Sequence, residues 1–108
     1  MMQPFLRDAS TEILRAIRKR AGKASLTVED IRSRPWASAT FSGARHRVAF
    51  RLEGPDAEDH AAAFLVGIEA AEFSLRGHIL ADIRVAGRDD GGENGVRIEL
   101  EALTVEDA

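Results

Sequence analysis

Residues 96–105 read Val-Arg-Ile-Glu-Leu-Glu-Ala-Leu-Thr-Val, a stretch in which apolar and polar side chains mostly alternate. A period of two is typical of a β-strand with one face on a core and the other in solvent. Residues 78–86 alternate in the same way, with a polar loop between the two stretches. Together they predict a hairpin in which Arg84 lies near Glu99 and Leu80 near Leu103. Its core face would carry Ile79, Ala81, Ile83, Val85, Val96, Ile98, Leu100 and Ala102.

Residues 36–52 predict an earlier hairpin. The sequence Ser42-Gly43-Ala44-Arg45 places Gly at the first central position of a two-residue turn, as a type II′ turn prefers. That turn would set Trp36 opposite Arg51 and Thr40 opposite Arg47. Alternation then puts His46, Val48, Phe50 and Leu52 on the core face.

Two helices complete the pattern. Residues 5–21 carry apolar side chains at intervals of three and four, end in a basic cluster and are followed by Gly22, which predicts an amphipathic helix. Residues 56–75 predict a second helix, capped by Asp56 and ended by Gly77. Residues 26–31 fit a one-turn helix or a strand, and a five-residue echo at 103–107 favours the strand.

This order of elements predicts an α+β fold. We expect one domain over residues 1–108, a two-layer sandwich in the order helix-ββ-helix-ββ with a four-stranded, mainly antiparallel sheet. Residues 1–22 would hold the N-terminal amphipathic helix, and residues 36–105 a ββαββ core.

Charge is divided unevenly along the chain. Residues 1–54 carry 11 Lys and Arg against 5 Asp and Glu, a net +6, whereas residues 55–108 carry 4 against 13, a net −9. This division indicates a basic surface for an anionic partner, complementary ends for self-association, or two halves whose charges mix within one small fold.

Several function classes are excluded by composition and motif. The chain has no Cys, which removes disulfides, thiol nucleophiles and Cys-type metal sites. It has no phosphate-binding Gly-rich loop, no nucleophile elbow and no EF-hand spacing. We therefore expect no metal, no cofactor and no catalytic residues. The absence of a signal-like N-terminus and of an 18-residue apolar run predicts a cytoplasmic location away from membranes.

Glu72 and His46 are the candidates for acid–base chemistry. Helical spacing puts Glu72 within the apolar stripe of residues 56–75, where burial would raise its pKa. A pair with His46 would then make a small-ligand binder or an enzyme. The alternatives are a structural, hydrogen-bonded His46 and a Glu72 that reaches water.

Two candidate surfaces follow from the residues that the core leaves over. Trp36, Arg45, Arg47 and Arg51 share the polar face of the first hairpin and form a candidate binding site, with Arg51 stacked on the indole. The candidate self-association interface comprises apolar side chains away from the core stripes: Leu80, Leu103, Val105, Val66 and Phe73. A single aromatic on the polar face and a negative net charge argue against nucleic acid.

Residues 39–106 also carry a family resemblance. They contain Gly-Ala-Arg-His-Arg-Val at 43–48, an Ala-rich helix, Leu-Arg-Gly-His-Ile-Leu at 75–80, and a Gly/Asp-rich loop before a strand that opens with Gly-Val at 95–96. In these features the chain resembles the tail-terminator, or tail-completion, proteins of long-tailed phages and gene transfer agents. The N-terminal third lacks that family's longer loop and Pro-aromatic strand. The resemblance implies a ring-forming subunit without catalytic residues.

The expectation with most support from the residues is a small non-enzymatic module that binds itself, as a homodimer or ring, and another protein. The phage-tail subunit is its sharper version. The ligand binder or enzyme built on Glu72 and His46 is the alternative from another class.

Overall fold

The computed structural model describes residues 8–92 and 95–107 and confirms the α+β fold. Two helices and four strands follow one another in the predicted order. In chain order the elements are α1 (Ala9–Ala21), β1 (Ser25–Ala37), β2 (Ser42–Glu53), α2 (Ala57–Leu65), β3 (His78–Gly92) and β4 (Gly95–Glu106). The predicted first helix began at residue 5; residues 5–7 lie outside the described residues, and Asp8 caps α1 by accepting the Ser10 amide at 3.2 Å.

The sheet has the strand order β1-β2-β4-β3, and every pair in it is antiparallel. The two strands from the basic half therefore lie side by side, and the two strands from the acidic half lie beside them. Within the sheet, the two halves meet along the β2–β4 seam, where their opposite charges can pair. Residues 26–31, left open between helix and strand, belong to β1.

The core lies on one face of the sheet, beneath both helices. Phe50 of β2 and Phe64 of α2 meet edge to face, with their ring centroids 5.2 Å apart. Ile13 and Ile17 of α1 are fully buried in the same cluster. Arg20 ties the helices together, because its Nε donates to the Phe64 carbonyl and its Nη2 to the Val66 carbonyl, each at 2.7 Å.

The predicted turn at Gly43-Ala44 is wrong. The turn lies at residues 38–41, where the Ser38 amide donates to the Phe41 carbonyl at 2.7 Å. Gly43 instead lies within β2 opposite Trp36, and a side chain there would collide with the Thr104 carbonyl of β4. Close backbone approach, rather than turn geometry, explains the glycine. Thr27, not Trp36, lies opposite Arg51.

The second helix is shorter than predicted. It ends at Leu65, because Gly67 takes a left-handed conformation with φ of 66° and breaks the ladder of helical hydrogen bonds. A single 3-10 turn, Ile68–Ala70, follows, and residues 71–74 have no regular structure. The stripe that placed Glu72 on the core side of a helix therefore does not exist, and Glu72 is exposed.

Strand β3 departs from strict alternation. A register shift between Leu80 and Asp82 inserts one extra residue, so Ile79 turns outward and is 52% exposed, whereas Leu80 packs against the core. The shift also sets Arg84 opposite Glu101, not Glu99. Both strands of this hairpin run further than predicted, into the loop expected at residues 89–95.

Candidate interaction surface on the open face of the sheet

The face of the sheet opposite the helices, here called the open face, is covered by no element of the described chain. Alternation places on it the side chains that are not in the core. In the paired registers these form cross-strand rows, such as Arg32, Arg47, Glu101 and Arg84. All three arginines predicted as binding residues, Arg45, Arg47 and Arg51, lie on this face, as does Trp36.

Seven charged side chains of the open face form one ion-pair network that crosses the sheet. Its member on β1 is Glu29, the extra residue of a β-bulge. The Glu29 carboxylate accepts from Nε of Arg51 at 3.2 Å and from Nε of Arg97 at 2.7 Å. Its members are linked in the order Arg51, Glu29, Arg97, Glu99, Arg47, Glu101 and Arg84. Arg51 is thus held by Glu29 and is not stacked on Trp36, whereas Arg20 makes a cation–π contact with the Phe64 ring, its guanidinium carbon 5.4 Å from the ring centroid.

The electrostatics of the network centre on Glu29. The hydrogen bond from Arg97 lowers the pKa of the Glu29 carboxyl below its ordinary value, with Arg51 adding to the effect and desolvation opposing it. The same hydrogen bond raises the pKa of Arg97. Every charge of the network thus has a partner of opposite sign, so this part of the open face offers less to a charged ligand than unpaired arginines would.

Arg34 and Arg45 lie beyond the end of the network. They are directly opposite each other on β1 and β2, and both are exposed. Neither has an ion pair or a hydrogen-bonded partner for its side chain within residues 8–92 and 95–107. Like charges opposite each other on a sheet destabilise it. We call these two residues the arginine pair; an anionic group placed between them would relieve the repulsion.

An apolar row crosses the open face next to the arginine pair. Trp36, Gly43, Val105 and Ile79 are successive cross-strand partners, so the row runs over all four strands. Its members with side chains are Trp36, Val105 and Ile79. Leu103, opposite Arg45, borders the row, and Phe41 in the adjoining turn is 59% exposed. The Nε1 atom of Trp36 is buried without a hydrogen-bond partner in the described part of the chain.

The structure divides the predicted interface residues. Leu103 and Val105 lie together on the open face, as predicted. Leu80 and Phe73 are half-buried and pack against the core of their own chain. Val66 is 74% exposed but lies on the helical side of the molecule, at the end of α2. Ile79 lies on the open face where Leu80 was predicted, and it was missed because alternation assigned it to the core. It is exposed because of the bulge after Leu80, for which the sequence gives no signal.

His46 is a buried, hydrogen-bonded residue of the core face. Its Nδ1 lies 2.7 Å from the Ser33 hydroxyl and its Nε2 lies 2.9 Å from the Thr104 hydroxyl, while only 2% of the residue is exposed. Burial lowers the pKa of His46, partly offset by Asp8. No hydrogen bond or ion pair connects it with Glu72 among the residues that the structure describes. The predicted acid–base pair is therefore not assembled.

Other kinds of site find little support in the described residues. No group of three His, Asp or Glu side chains among them is arranged to hold a metal ion. No helix in the described ranges is long and apolar enough to cross a membrane. An open groove of about 670 Å³ lies on the open face, over the arginine pair and part of the ion-pair network. Its lining includes Arg34, Arg45, Arg47, Arg84 and Glu101.

Comparisons with known proteins add one distant structural likeness. No family model matches the sequence, and no curated protein matches it either. The fold is similar to the crystal structure of the type 4 fimbrial biogenesis protein PilO from Pseudomonas aeruginosa. The sequences are 17% identical, the match covers 92% of this chain and 70% of that chain, and the TM-score is 0.46. A likeness of this size carries no functional argument, and the resemblance to phage tail proteins stays a prediction.

Proposed function

We propose that this protein is a non-enzymatic protein-binding module that self-associates through the open face of its sheet. The observation that carries the proposal is the apolar row of Trp36, Val105 and Ile79 on a face that is otherwise ionic. Apolar side chains on a solvated sheet face do not stabilise a monomer. Apolar patches rimmed by polar residues are typical of interaction sites.

The composition of the row and its rim resembles that of an interface centre. Trp and Arg are the residues most enriched where binding energy concentrates, and the row sets Trp36 beside the arginine pair. Covering an aliphatic side chain such as Ile79 contributes about 1.5–3 kcal/mol if it is buried completely. Several such side chains suffice for association at micromolar concentration once the cost of docking is subtracted.

The enzyme alternative receives less support from the same structure. Both ring nitrogens of His46 are engaged by hydroxyl groups inside the fold, and Glu72 lies exposed in an irregular segment. A binding role needs neither residue.

The test is light scattering coupled to size exclusion, over protein concentrations from about 1 to 500 µM. The wild-type mass is expected to rise with concentration, and Trp36→Ala and Ile79→Ser are expected to weaken association at least tenfold. Trp36→Phe, which keeps an aromatic surface, is the matched control. The melting temperature of each variant separates lost association from lost folding. A wild-type chain that stays monomeric over the whole range contradicts the proposal.

A further inference from the structure

A second exposed patch lies on the other side of the molecule, along α2. Asp59, Ala62, Ala63 and Val66 recur at intervals of three and four, which places them on one side of the helix. All four are exposed, and Asp59 has no ion pair in the described chain, whereas its neighbour Glu58 pairs with Arg88 at 3.4 Å. The patch, here called the α2 stripe, runs from an acidic residue to apolar ones.

The neighbouring helix has the opposite character. The exposed side chains of α1 near its C-terminus are Arg15, Arg18 and Lys19. A basic surface such as the arginine pair would be repelled by this part of the helical layer and attracted by the α2 stripe. Within the helical layer, the charge therefore favours the side formed by α2 and the 3-10 turn after it, where Asp56, Asp59 and Glu69 are exposed. Of these, Asp59 belongs to the α2 stripe and lies beside exposed apolar side chains.

We infer that the open face of one copy binds the α2 stripe of a second copy. Asp59 would approach the arginine pair, Arg34 and Arg45, and the apolar end of the stripe would cover the apolar row. The inference rests on the proposed self-association and names its geometry: a heterologous contact between two different surfaces.

The spacing of the two patches agrees with this pairing. On the sheet, the arginine pair and the apolar row are two residues apart along the strands, about 7 Å. On α2, Asp59 and the first apolar members of the stripe are three and four residues apart, about 5–6 Å. Each surface thus presents a charge and an apolar contact at nearly the same separation.

The contact must form between different molecules. The open face and the helical layer are on opposite sides of the sheet, so one chain cannot satisfy both of its own surfaces. After pairing, one copy keeps a free α2 stripe and the other keeps a free open face, so association continues until the rotation between copies closes a ring or leaves an open chain.

The open face favours a localised carboxylate over a continuous polyanion. Glu101 lies opposite Arg47, one cross-strand row from Arg45, and Asp82 lies in the row of Arg45 with Leu103 between them. A nucleic-acid backbone that followed the groove would therefore meet carboxylates as well as arginines. A single Asp or Glu fits between Arg34 and Arg45 without that repulsion.

Two variants, each lacking one surface, test the inference. Arg34→Glu/Arg45→Glu disables the open face, and Asp59→Asn/Val66→Ser removes the charge and the apolar end of the α2 stripe. All four positions are exposed, or nearly so, and melting temperatures check that both variants fold. Each variant alone is expected to be monomeric at concentrations where the wild type associates. Their equimolar mixture is expected to form a 1:1 heterodimer. It should grow no further, because each variant supplies one intact surface and the heterodimer uses both of them.

Three results overturn the inference, and they are distinguishable from failure of the proposed function. Wild-type-like association of the Asp59→Asn/Val66→Ser variant removes α2 from the interface, although self-association through Trp36 then stands. Unchanged association of the Arg34→Glu/Arg45→Glu variant removes the arginine pair. A mixture that stays monomeric shows that the contact is not head to tail. A monomeric wild type overturns the proposed function itself.

Discussion

The hydroxyl of Ser33, on the edge strand β1, lies 2.7 Å from Nδ1 of His46, which is buried on the neighbouring strand β2. On the other side of the ring, the Thr104 hydroxyl lies 2.9 Å from Nε2 and donates to the Ala44 carbonyl at 3.4 Å. We therefore assign the proton of the neutral ring to Nε2, which donates to Thr104, and Nδ1 accepts from Ser33. The neutral ring joins three strands of the sheet.

This arrangement makes stability depend on pH. Burial holds the pKa of His46 below its ordinary value of 6.5, His78 adds to the effect and Asp8 opposes it. Below about pH 6.5 the unfolded chain binds a proton that the folded chain does not, so stability rises with pH. The contribution is complete above that value and is lost as the pH falls from 6.5 toward the folded pKa. We expect the free energy of unfolding to fall by up to about 1.4 kcal/mol per pH unit in this window.

Urea denaturation at closely spaced pH values from 5 to 8 measures this slope. His46→Gln is expected to lose it while His60→Gln, on a partly exposed helical residue, keeps it. Equal slopes in the wild type and in His46→Gln would assign the pH dependence to other groups.

We expect Arg20 to contribute more to the free energy of unfolding than residues near the end of a surface helix usually do. Its guanidinium donates two 2.7 Å hydrogen bonds to carbonyls at the end of α2 and covers the Phe64 ring. Hydrogen bonds that involve a charged group contribute about 1.5–3 kcal/mol. Arg20→Ala should lower the free energy of unfolding by about 2 kcal/mol, whereas Arg18→Ala, an exposed neighbour, should change it by less than about 0.5 kcal/mol. Chemical denaturation of both variants decides, and equal losses would contradict the role of Arg20.

The sequence predicted what depends on alternation and periodicity. The order of elements and the core faces of β2 and β4, with His46 on the core face of β2, followed from periods of two and of three to four. The misplaced turn of the first hairpin arose because one glycine has two possible roles. Gly43 suits a turn as well as a close backbone approach, and only the position of the Thr104 carbonyl distinguishes them.

The cross-strand neighbours on the open face could not be predicted without the tertiary structure. Bulges at Glu29 and between Leu80 and Asp82 redirect side chains without a strong sequence signal, and they determine which arginines are neutralised and whether Ile79 is exposed. Trp36 was correctly placed on the polar face, yet its neighbours depended on a register that the misplaced turn had shifted. Sequence reasoning therefore placed Trp36 and the three arginines on one face of the sheet, but it did not predict their cross-strand partners.

Glu29 provides a direct test of the ion-pair network. Hydrogen bonds from Arg97 and Arg51 hold the pKa of its carboxyl below the ordinary value near 4.5. Because the folded pKa is the lower one, the stabilising effect is present above about pH 4.5 and is lost as the pH falls through the folded pKa. Titration of the side-chain carboxyl by carbon-13 NMR should show the low pKa, and Arg97→Gln should raise it more than Arg51→Gln does. An ordinary pKa in the wild-type protein would show that the bulge does not hold Glu29 against the arginines.

Gly43 links the stability of the sheet to the position of Trp36. A Cβ atom at this residue would collide with the Thr104 carbonyl and would lie 3.0 Å from Cε2 of the Trp36 indole. The carbonyl is part of the β2–β4 pairing and cannot move aside cheaply, so Gly43→Ala should lower the free energy of unfolding by about 1–3 kcal/mol. The indole should be displaced as well, and since Trp36 is the sole tryptophan, its fluorescence reports this without labelling. We expect a changed emission maximum in the folded variant and weaker self-association.

Gly87→Ala is the control, because the nearest atoms to a Cβ there are 3.8 Å away or more. If Gly43→Ala matches the wild type in stability and emission, β2 and β4 do not approach each other at this point as closely as described.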